Sequence, residues 1–145
     1  MAKYYETQTM ELKEKYTDSI VKEIVSFLNS DGGTLIVGIK DDGTVVGVDK
    51  LDETLRKISD VITTQIEPNP QDEITTEVRF DEKKALIVLN ISKGGRNIYC
   101  QKKYGFSSNG CTIRIGTTCK EMTSEQIKIR YEQNFIDNEY MLKKR

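Results

Sequence analysis

Three stretches of the chain place apolar residues at the three- and four-residue spacing of an amphipathic helix. The first covers about residues 18–29, where a Gly-Gly pair follows it and favours a tight exit. The second covers about residues 51–66, with Asp52 as the expected N-cap and Pro68 as the expected stop. A capping-box pattern that begins at Thr123 predicts the start of a third helix.

Two pairs of β-rich runs have turn residues between them, which is typical of hairpins. Residues 34–39 and 44–48 flank an Asp-Gly turn and are expected to pair. Residues 74–80 and 85–91 form the second predicted hairpin, and the second of these strands is apolar enough to lie centrally in a sheet.

Two shorter strands are predicted near the C-terminal third of the chain, at residues 98–100 and 111–115. Residues 101–110 between them contain glycine and lysine and are too many for a tight turn, so they predict a long surface loop. These patterns together predict an α+β fold with a mixed, mainly antiparallel sheet built from hairpins and about three packing helices.

The length of 145 residues predicts a single domain that occupies the whole chain, residues 1–145. No apolar run approaches the roughly 20 residues that a membrane-spanning helix needs, and charges occupy the start where a signal peptide would be apolar. We therefore expect a cytoplasmic protein without membrane contact. The charged C-terminal end is compatible either with a tail or with the start of another domain.

The net charge of −1 conceals a segregation of charge along the sequence. Acidic residues outnumber basic ones about two to one up to residue 82, whereas residues 85–120 contain no Asp or Glu. The basic residues of this acid-free stretch are Lys93, Arg96, Lys102, Lys103, Arg114 and Lys120. Such a stretch can follow a phosphate backbone in a neutral protein, because counterion release depends on local contacts. The alternative interpretation is an ordinary solvated hairpin.

Several familiar chemistries are excluded by the residues that are missing. The chain has no His, and its three cysteines lack a CxxC spacing, so the sequence does not support a common zinc site and favours buried thiols. It also has no GxGxxG, Walker or GxSxG pattern. These absences argue against a nucleoside-triphosphate site and against an ordinary hydrolase triad.

Three carboxylates are candidates for a metal site, namely Glu6, Glu11 and Asp41. Three carboxylates that a sheet brings together can hold Mg²⁺ or Mn²⁺, which could activate water beside a phosphate. In so acidic a chain they could also be ordinary surface charge. Lys13 follows Glu11 by two residues and should share its face of a strand, where it could either pair with Glu11 or meet a phosphate.

Three segments together resemble the Schlafen AlbA-like domain. They are the opening Glu-x4-Glu-Leu-Lys, the run Ser-Phe-Leu-Asn-Ser-Asp-Gly-Gly-Thr-Leu-Ile-Val-Gly-Ile-Lys-Asp-Asp-Gly at 26–43, and Thr-Ile-Arg-Ile-Gly-Thr-Thr at 112–118. The resemblance covers about residues 6–133, which we take as the domain core, with 134–145 as a C-terminal helix or tail. It implies the α+β fold expected above.

The resemblance implies two kinds of function. Bacterial members are commonly described as DNA-binding or transcriptional regulators, often with an ATPase-like or winged-helix region after this module, so a C-terminal domain could be missing here. In vertebrate Schlafens a similar fold is a tRNA and rRNA endonuclease, and Glu6, Glu11 and Asp41 correspond to its three acids, with Mg or Mn as cofactor. Those enzymes have two lobes and a zinc site that this sequence lacks, so a single lobe would need a homodimer.

The favoured interpretation is a nucleic-acid-binding domain of a bacterial-type transcriptional regulator, acting on DNA or structured RNA through the basic residues of the acid-free stretch. The alternative is a metal-dependent endoribonuclease in which Lys13 or Arg114 steadies the charge on the phosphate. A further alternative is a protein-interaction domain that uses apolar residues of the last helix, such as Ile129 and Phe135.

Overall fold

The computed structural model of the chain describes the backbone of residues 3–95 and 97–143 and the side chains as far as residue 134. The helices are α1 (Ile20–Leu28), α2 (Leu51–Thr64) and α3 (Ser124–Lys143), with a 3-10 turn at Gln71–Glu73. The strands are β1 (Met10–Lys13), β2 (Gly33–Val37), β3 (Ile66–Glu67), β4 (Ile74–Asp81), β5 (Lys84–Ile91), β6 (Cys100–Gln101), β7 (Thr112–Ile115) and β8 (Thr118–Glu121). No helix in these described ranges has the length and apolar character that crossing a bilayer requires.

The main sheet has four strands in the order β1-β2-β5-β4. β1 runs parallel to β2, whereas β5 pairs antiparallel with both β2 and β4. Two further ribbons are formed by β3 with β6 and by β7 with β8. The predicted α+β class with a mixed, mainly antiparallel sheet and three helices is confirmed. The central position predicted for the 85–91 strand is confirmed as well.

The larger part of the core lies between the main sheet and the first two helices. The buried apolar face of α1 packs with Ile58, Val61 and Ile62 of α2 against alternate residues of β2 and β5. Alternation places Leu12, Ile36 and the other alternate residues on the opposite face, in a smaller cluster. Burial of the α1 stripe is why the 18–29 pattern forms a helix in its predicted place.

The hairpin predicted between residues 34–39 and 44–48 is wrong in its second strand. β2 forms, but residues 44–48 form no strand: one isolated bridge, Ile39 with Val45, joins the two runs, and the N–H groups of Val46 and Gly47 both donate to Gly38 O. Gly38 and Gly47 both adopt positive φ angles, +113° and +78°, which bend the chain out of an extended path. The antiparallel partner of β2 is instead β5, which follows it by about fifty residues.

Three local predictions had mixed outcomes. The capping box is confirmed, because Thr123 N–H donates to Gln126 Oε1 at 2.8 Å and Gln126 N–H donates to Thr123 Oγ1 at 3.1 Å. The N-cap of α2 is Lys50, not Asp52, which lies within the first turn. The strand predicted at 98–100 begins only at its last residue, and continues through Gln101.

Candidate nucleic-acid interface

Arg114 of β7 lies inside the protein, with 0% of its side chain exposed. Its guanidinium donates to three backbone carbonyls of the segment that leads into β1: Nε to Gln8 O at 2.9 Å, and Nη2 to Thr7 O at 2.7 Å and Met10 O at 2.9 Å. These donors are buried and face the chain's own backbone, so the structure does not support the phosphate contact predicted for Arg114, which stays a prediction.

Two carboxylates and one aromatic ring complete the surroundings of Arg114. Nη2 lies 3.3 Å from Glu11 Oε2, and Nη1 lies 3.6 Å from Glu23 Oε2. The guanidinium carbon is 4.7 Å from the centre of the Phe27 ring, a cation–π distance. Within the described residues, Nη1 has no hydrogen-bond partner. Arg114 therefore connects β7 to both β1 and α1.

Lys13 joins the same buried carboxylates. It lies on the same face of β1 as Glu11, as the two-residue spacing predicted, and its Nζ is 3.6 Å from Glu11 Oε1. The same Nζ is 3.4 Å from Glu23 Oε1. Of the two alternatives for Lys13, the structure therefore shows the pair with a carboxylate.

Glu11 is a buried acid whose charge is only partly compensated. Burial, side-chain hydrogen bonding with Glu6 and the nearby charges of Glu23 and Glu6 raise the pKa of Glu11 from 4.5 to about 8, although Arg114 opposes the shift. Glu6 also accepts a hydrogen bond from the Leu12 N–H at 3.3 Å. Glu6 and Glu11 are thus brought together as predicted.

Asp41 is not part of this group. It is exposed in the turn between Ile39 and Val45, and the described residues contain no set of three or more His, Cys, Asp or Glu arranged to hold a metal ion. Arg114 and Lys13 already contact the carboxylate oxygens of Glu11, so the donor set does not fit Mg²⁺ or Mn²⁺, which need free anionic oxygens. The three-carboxylate metal site stays a prediction from the resemblance.

Glu23 is the residue at this site that sequence reasoning missed. It lies in the first turn of α1, one helical turn before Phe27 and three residues before the buried Ser26. Besides its two cationic neighbours, it accepts a hydrogen bond from the Cys119 thiol at 2.8 Å. Burial and this bond raise the pKa of Cys119. The feature of the sequence that could have identified Glu23 was an acidic residue between the apolar helix positions Ile20, Ile24 and Phe27.

The loop at residues 101–110 combines exposed basic and exposed aromatic side chains of the acid-free stretch. Lys102 and Lys103 are exposed, and the adjacent rings of Tyr104 and Phe106 are 48% and 56% exposed. Lys103 Nζ lies 4.9 Å from the centre of the Tyr104 ring. Lys102 Nζ is 4.0 Å from Glu67 Oε1, a loose surface pair that leaves the lysine accessible.

The remaining predicted phosphate contacts lie outside this loop. Lys120 is exposed on β8, and Lys93 is exposed at a polar groove that Arg130 also lines. A second concavity next to the loop is lined by Lys22 and Lys103, together with the acidic residues Asp18 and Glu121. Arg96 lies outside the described residues, as does the side chain of Phe135.

Comparison with a solved structure agrees with the fold. The structure is similar to the DIP2311 protein from Corynebacterium diphtheriae, with a TM-score of 0.59 and 18% identity over 79% of this chain and 22% of that one. It is also similar to the N-terminal domain of a Nitrosomonas europaea protein named as RecG-related, after an ATP-dependent DNA helicase, with a TM-score of 0.46 and 19% identity over 59% of this chain and 61% of that one.

The chain spans less than two thirds of each of these two solved chains. No match was found among curated proteins. The sequence model of the Schlafen, AlbA_2 family matches residues 6–123. This range includes all the strands described above and the two carboxylate partners of Arg114, Glu11 and Glu23. The chain therefore belongs to the Schlafen AlbA_2 family.

Proposed function

We propose that this protein is a nucleic-acid-binding domain that contacts DNA or structured RNA through the exposed lysines of its acid-free stretch. The observation that carries the proposal is the loop at residues 101–110, where two exposed lysines adjoin two exposed aromatic rings. In keeping with the family resemblance, we assign the domain to a transcriptional regulator.

The composition of the loop matches the two requirements of nucleic-acid binding. Lysine ammonium groups at positions 102 and 103 can contact phosphates and release counterions. The rings of Tyr104 and Phe106 present exposed faces on which unpaired bases can stack, at about 1–3 kcal/mol per base. Contiguous exposed apolar groups often mark interaction sites, so the position of these two rings next to the lysines supports this role.

The loop is ordered by its own backbone, which lowers the entropy lost on binding. Tyr104 N–H donates to Gln101 O at 3.0 Å, and Cys111 N–H donates to Ser107 O at 3.0 Å, closing a turn at each end of the loop. Lys102 N–H donates to Gln65 O at 2.9 Å and fastens the loop to the end of α2. The lysines and rings therefore project from a fixed base.

The proposal is tested by measuring affinity for an RNA stem-loop and for duplex DNA across a range of salt concentrations. The double variant K102A/K103A is expected to bind more weakly and to reduce the slope of log affinity against log salt by about 2. The matched control is K50A/K57A, which removes the same charge from two exposed lysines that both pair with Glu53 on α2. Its affinity and slope should equal those of the unmodified chain.

Two results would contradict the proposal. One is the absence of any binding at low salt, which would move the function toward a protein partner. The other is an equal loss of affinity in both double variants, which would show that only net charge matters and that the loop is not the contact.

A further inference from the structure

β4 is a long edge of the main sheet, and no strand among the described residues pairs with its outer side. All eight of its residues pair one to one with β5, so no bulge interrupts it, and the strand contains neither proline nor glycine. Its side chains are exposed from Thr75 to Phe80. Edge strands are usually protected by such interruptions, because an open row of N–H and C=O groups can pair with another strand.

The direction of the free hydrogen-bonding groups follows from one bond at the start of the strand. Ser92 N–H donates to Glu73 O at 2.8 Å, which makes this opposed pair a hydrogen-bonded one. Because such pairs alternate along an antiparallel ladder, the backbone groups of residues 75, 77, 79 and 81 face β5. The backbone groups of Thr76, Val78 and Phe80 therefore face outward, away from the sheet.

The charges on β4 are complementary to those of an identical antiparallel strand. Glu77 and Arg79 lie on the same face and form an exposed ion pair within the strand, at 2.5 Å. If a second β4 pairs antiparallel about Val78, then Glu77 lies opposite Arg79 of the second copy, and Arg79 opposite Glu77. Both contacts fall at non-hydrogen-bonded positions, where opposed side chains lie closest.

The same register also uses the outward-facing backbone and the exposed apolar side chains. Val78 would exchange both of its free backbone hydrogen bonds with Val78 of the second copy. Phe80, 71% exposed, would lie opposite Thr76 of that copy, and the two-fold symmetry repeats the contact. Other registers are less favourable. If the pairing register of the two strands shifts by an odd number of residues, backbone groups that face β5 would lie opposite the second strand. If the symmetry centre moves to Glu77 or Arg79, like charges would lie opposite each other.

We propose that two copies of this chain associate through antiparallel pairing of β4 about Val78, which joins their sheets into one of eight strands. β4 shares no residue with the loop at 101–110. The pairing is therefore an interaction in addition to the proposed nucleic-acid contact, and its test does not depend on nucleic acid.

The experiment measures self-association by sedimentation velocity over a series of concentrations up to about 0.5 mM, without nucleic acid. The unmodified chain should show a monomer–dimer equilibrium. E77R and R79E each set like charges opposite each other at both contacts, and each should weaken the dimer about tenfold or more. The double swap E77R/R79E restores opposite charges across the interface and should return the dissociation constant to within about threefold of the original.

Two further variants separate the backbone contribution from general effects of charge. V78P removes an outward-facing N–H and leaves the ladder to β5 intact, so it should abolish the dimer while circular dichroism shows a folded monomer. E53R makes the same charge change on α2 and should leave the dimer unchanged. A chain that stays monomeric at the highest concentration, or single swaps that dimerise as well as the unmodified chain, would overturn the proposal.

Discussion

The guanidinium group of Arg114 lies 3.3 Å from the carboxylate of Glu11, and both side chains are buried. The pair connects β7 to β1 across about a hundred residues of sequence. The same guanidinium is hydrogen-bonded to carbonyls of the segment before β1. One side chain therefore links this N-terminal segment to the β7–β8 ribbon. This explains why a basic residue at this position is structural although it lies in the acid-free stretch.

Replacing Arg114 should destabilise the fold strongly. Arg114→Met leaves Glu11 buried beside fewer cations and removes the donors for three carbonyls, so we expect the free energy of unfolding to fall by about 3–5 kcal/mol. Urea denaturation measures the change. Lys120→Met, on the neighbouring strand β8 but exposed, is the control and should change stability by about 0.5 kcal/mol or less. A loss below about 1 kcal/mol for Arg114→Met would show that the buried pair is dispensable.

The raised pKa of Glu11 predicts a specific dependence of stability on pH. Because the pKa in the folded protein is about 8 and the ordinary value is 4.5, the folded state binds more protons between these values. The free energy of unfolding should therefore fall as the pH rises from about 5 to 8, with a contribution of up to about 1.4 kcal/mol per pH unit. Denaturation curves at several pH values measure it.

The variant Glu11→Gln removes the titrating group, so its stability should change less steeply over the same pH range. Only the slopes are compared, because the variant also alters the contact with Arg114. Glu14→Gln is the control, since Glu14 is about half exposed, and its curve should run parallel to that of the unmodified chain. Equal slopes for all three proteins would refute the assignment of the titration to Glu11.

Asn29 is expected to be a second point of high sensitivity. Its buried side-chain amide donates to Tyr99 O and Thr112 O, each at 2.9 Å, and its Oδ1 accepts from Tyr99 N–H at 2.8 Å. Asn29→Ala would leave these backbone groups unsatisfied and should destabilise the protein by about 2–4 kcal/mol in thermal or urea unfolding. The exposed Asn97→Ala should have almost no effect. Equal stabilities would mean that water replaces the amide.

The predictable part of this fold was the part that local patterns specify. Helix periodicity located α1 and α2, and the apolar run at 85–91 identified the central strand, because burial on one or both faces leaves a repeating signature in the sequence. The capping box at Thr123 marked the start of α3 for the same reason, since both partners of the cap lie within four residues.

Long-range pairing was not predictable from the same patterns. β1 pairs parallel with β2, and the carbonyls beside β1 accept hydrogen bonds from Arg114, about a hundred residues away. The hairpin prediction failed at residues 44–48 because two glycines bend the chain there, while a more distant strand, β5, offers a longer apolar partner to β2. Short-range turn signals report only what is locally allowed.

The site was predicted correctly only in part, for a physical reason. Sequence position placed Glu11 and Lys13 on one strand face, and they are in contact. Charge alone could not tell that Arg114 is buried and Lys103 exposed, because burial of an arginine depends on which carbonyls and carboxylates surround it in the fold. Glu23 was missed because its role comes from these same neighbours.

The exposed rings of the 101–110 loop should distinguish single-stranded from duplex ligands. Y104A/F106A should weaken binding to an unpaired RNA loop by about 1–3 kcal/mol per lost stack, while duplex DNA, whose bases are already stacked, should bind almost as before. Fluorescence anisotropy measures both affinities. Tyr131→Ala, which removes a ring that is 71% exposed on α3, is the control. An equal loss for both ligands would argue that the rings support the loop rather than contact bases.

Removing divalent metal should leave nucleic-acid binding unchanged, because the proposed contacts are lysines and rings, and the carboxylate of Glu11 is already in contact with Arg114 and Lys13. Affinity for an RNA stem-loop should agree within about twofold in EDTA and in Mn²⁺ at constant ionic strength, and Glu11→Gln should bind equally well.

A denaturing gel of the same samples tests the alternative function, a metal-dependent endoribonuclease. Mn²⁺-dependent fragments that disappear in both Glu11→Gln and Asp41→Asn would establish the three-carboxylate nuclease site that the family resemblance predicts, and would require Arg114 to release Glu11 when metal binds.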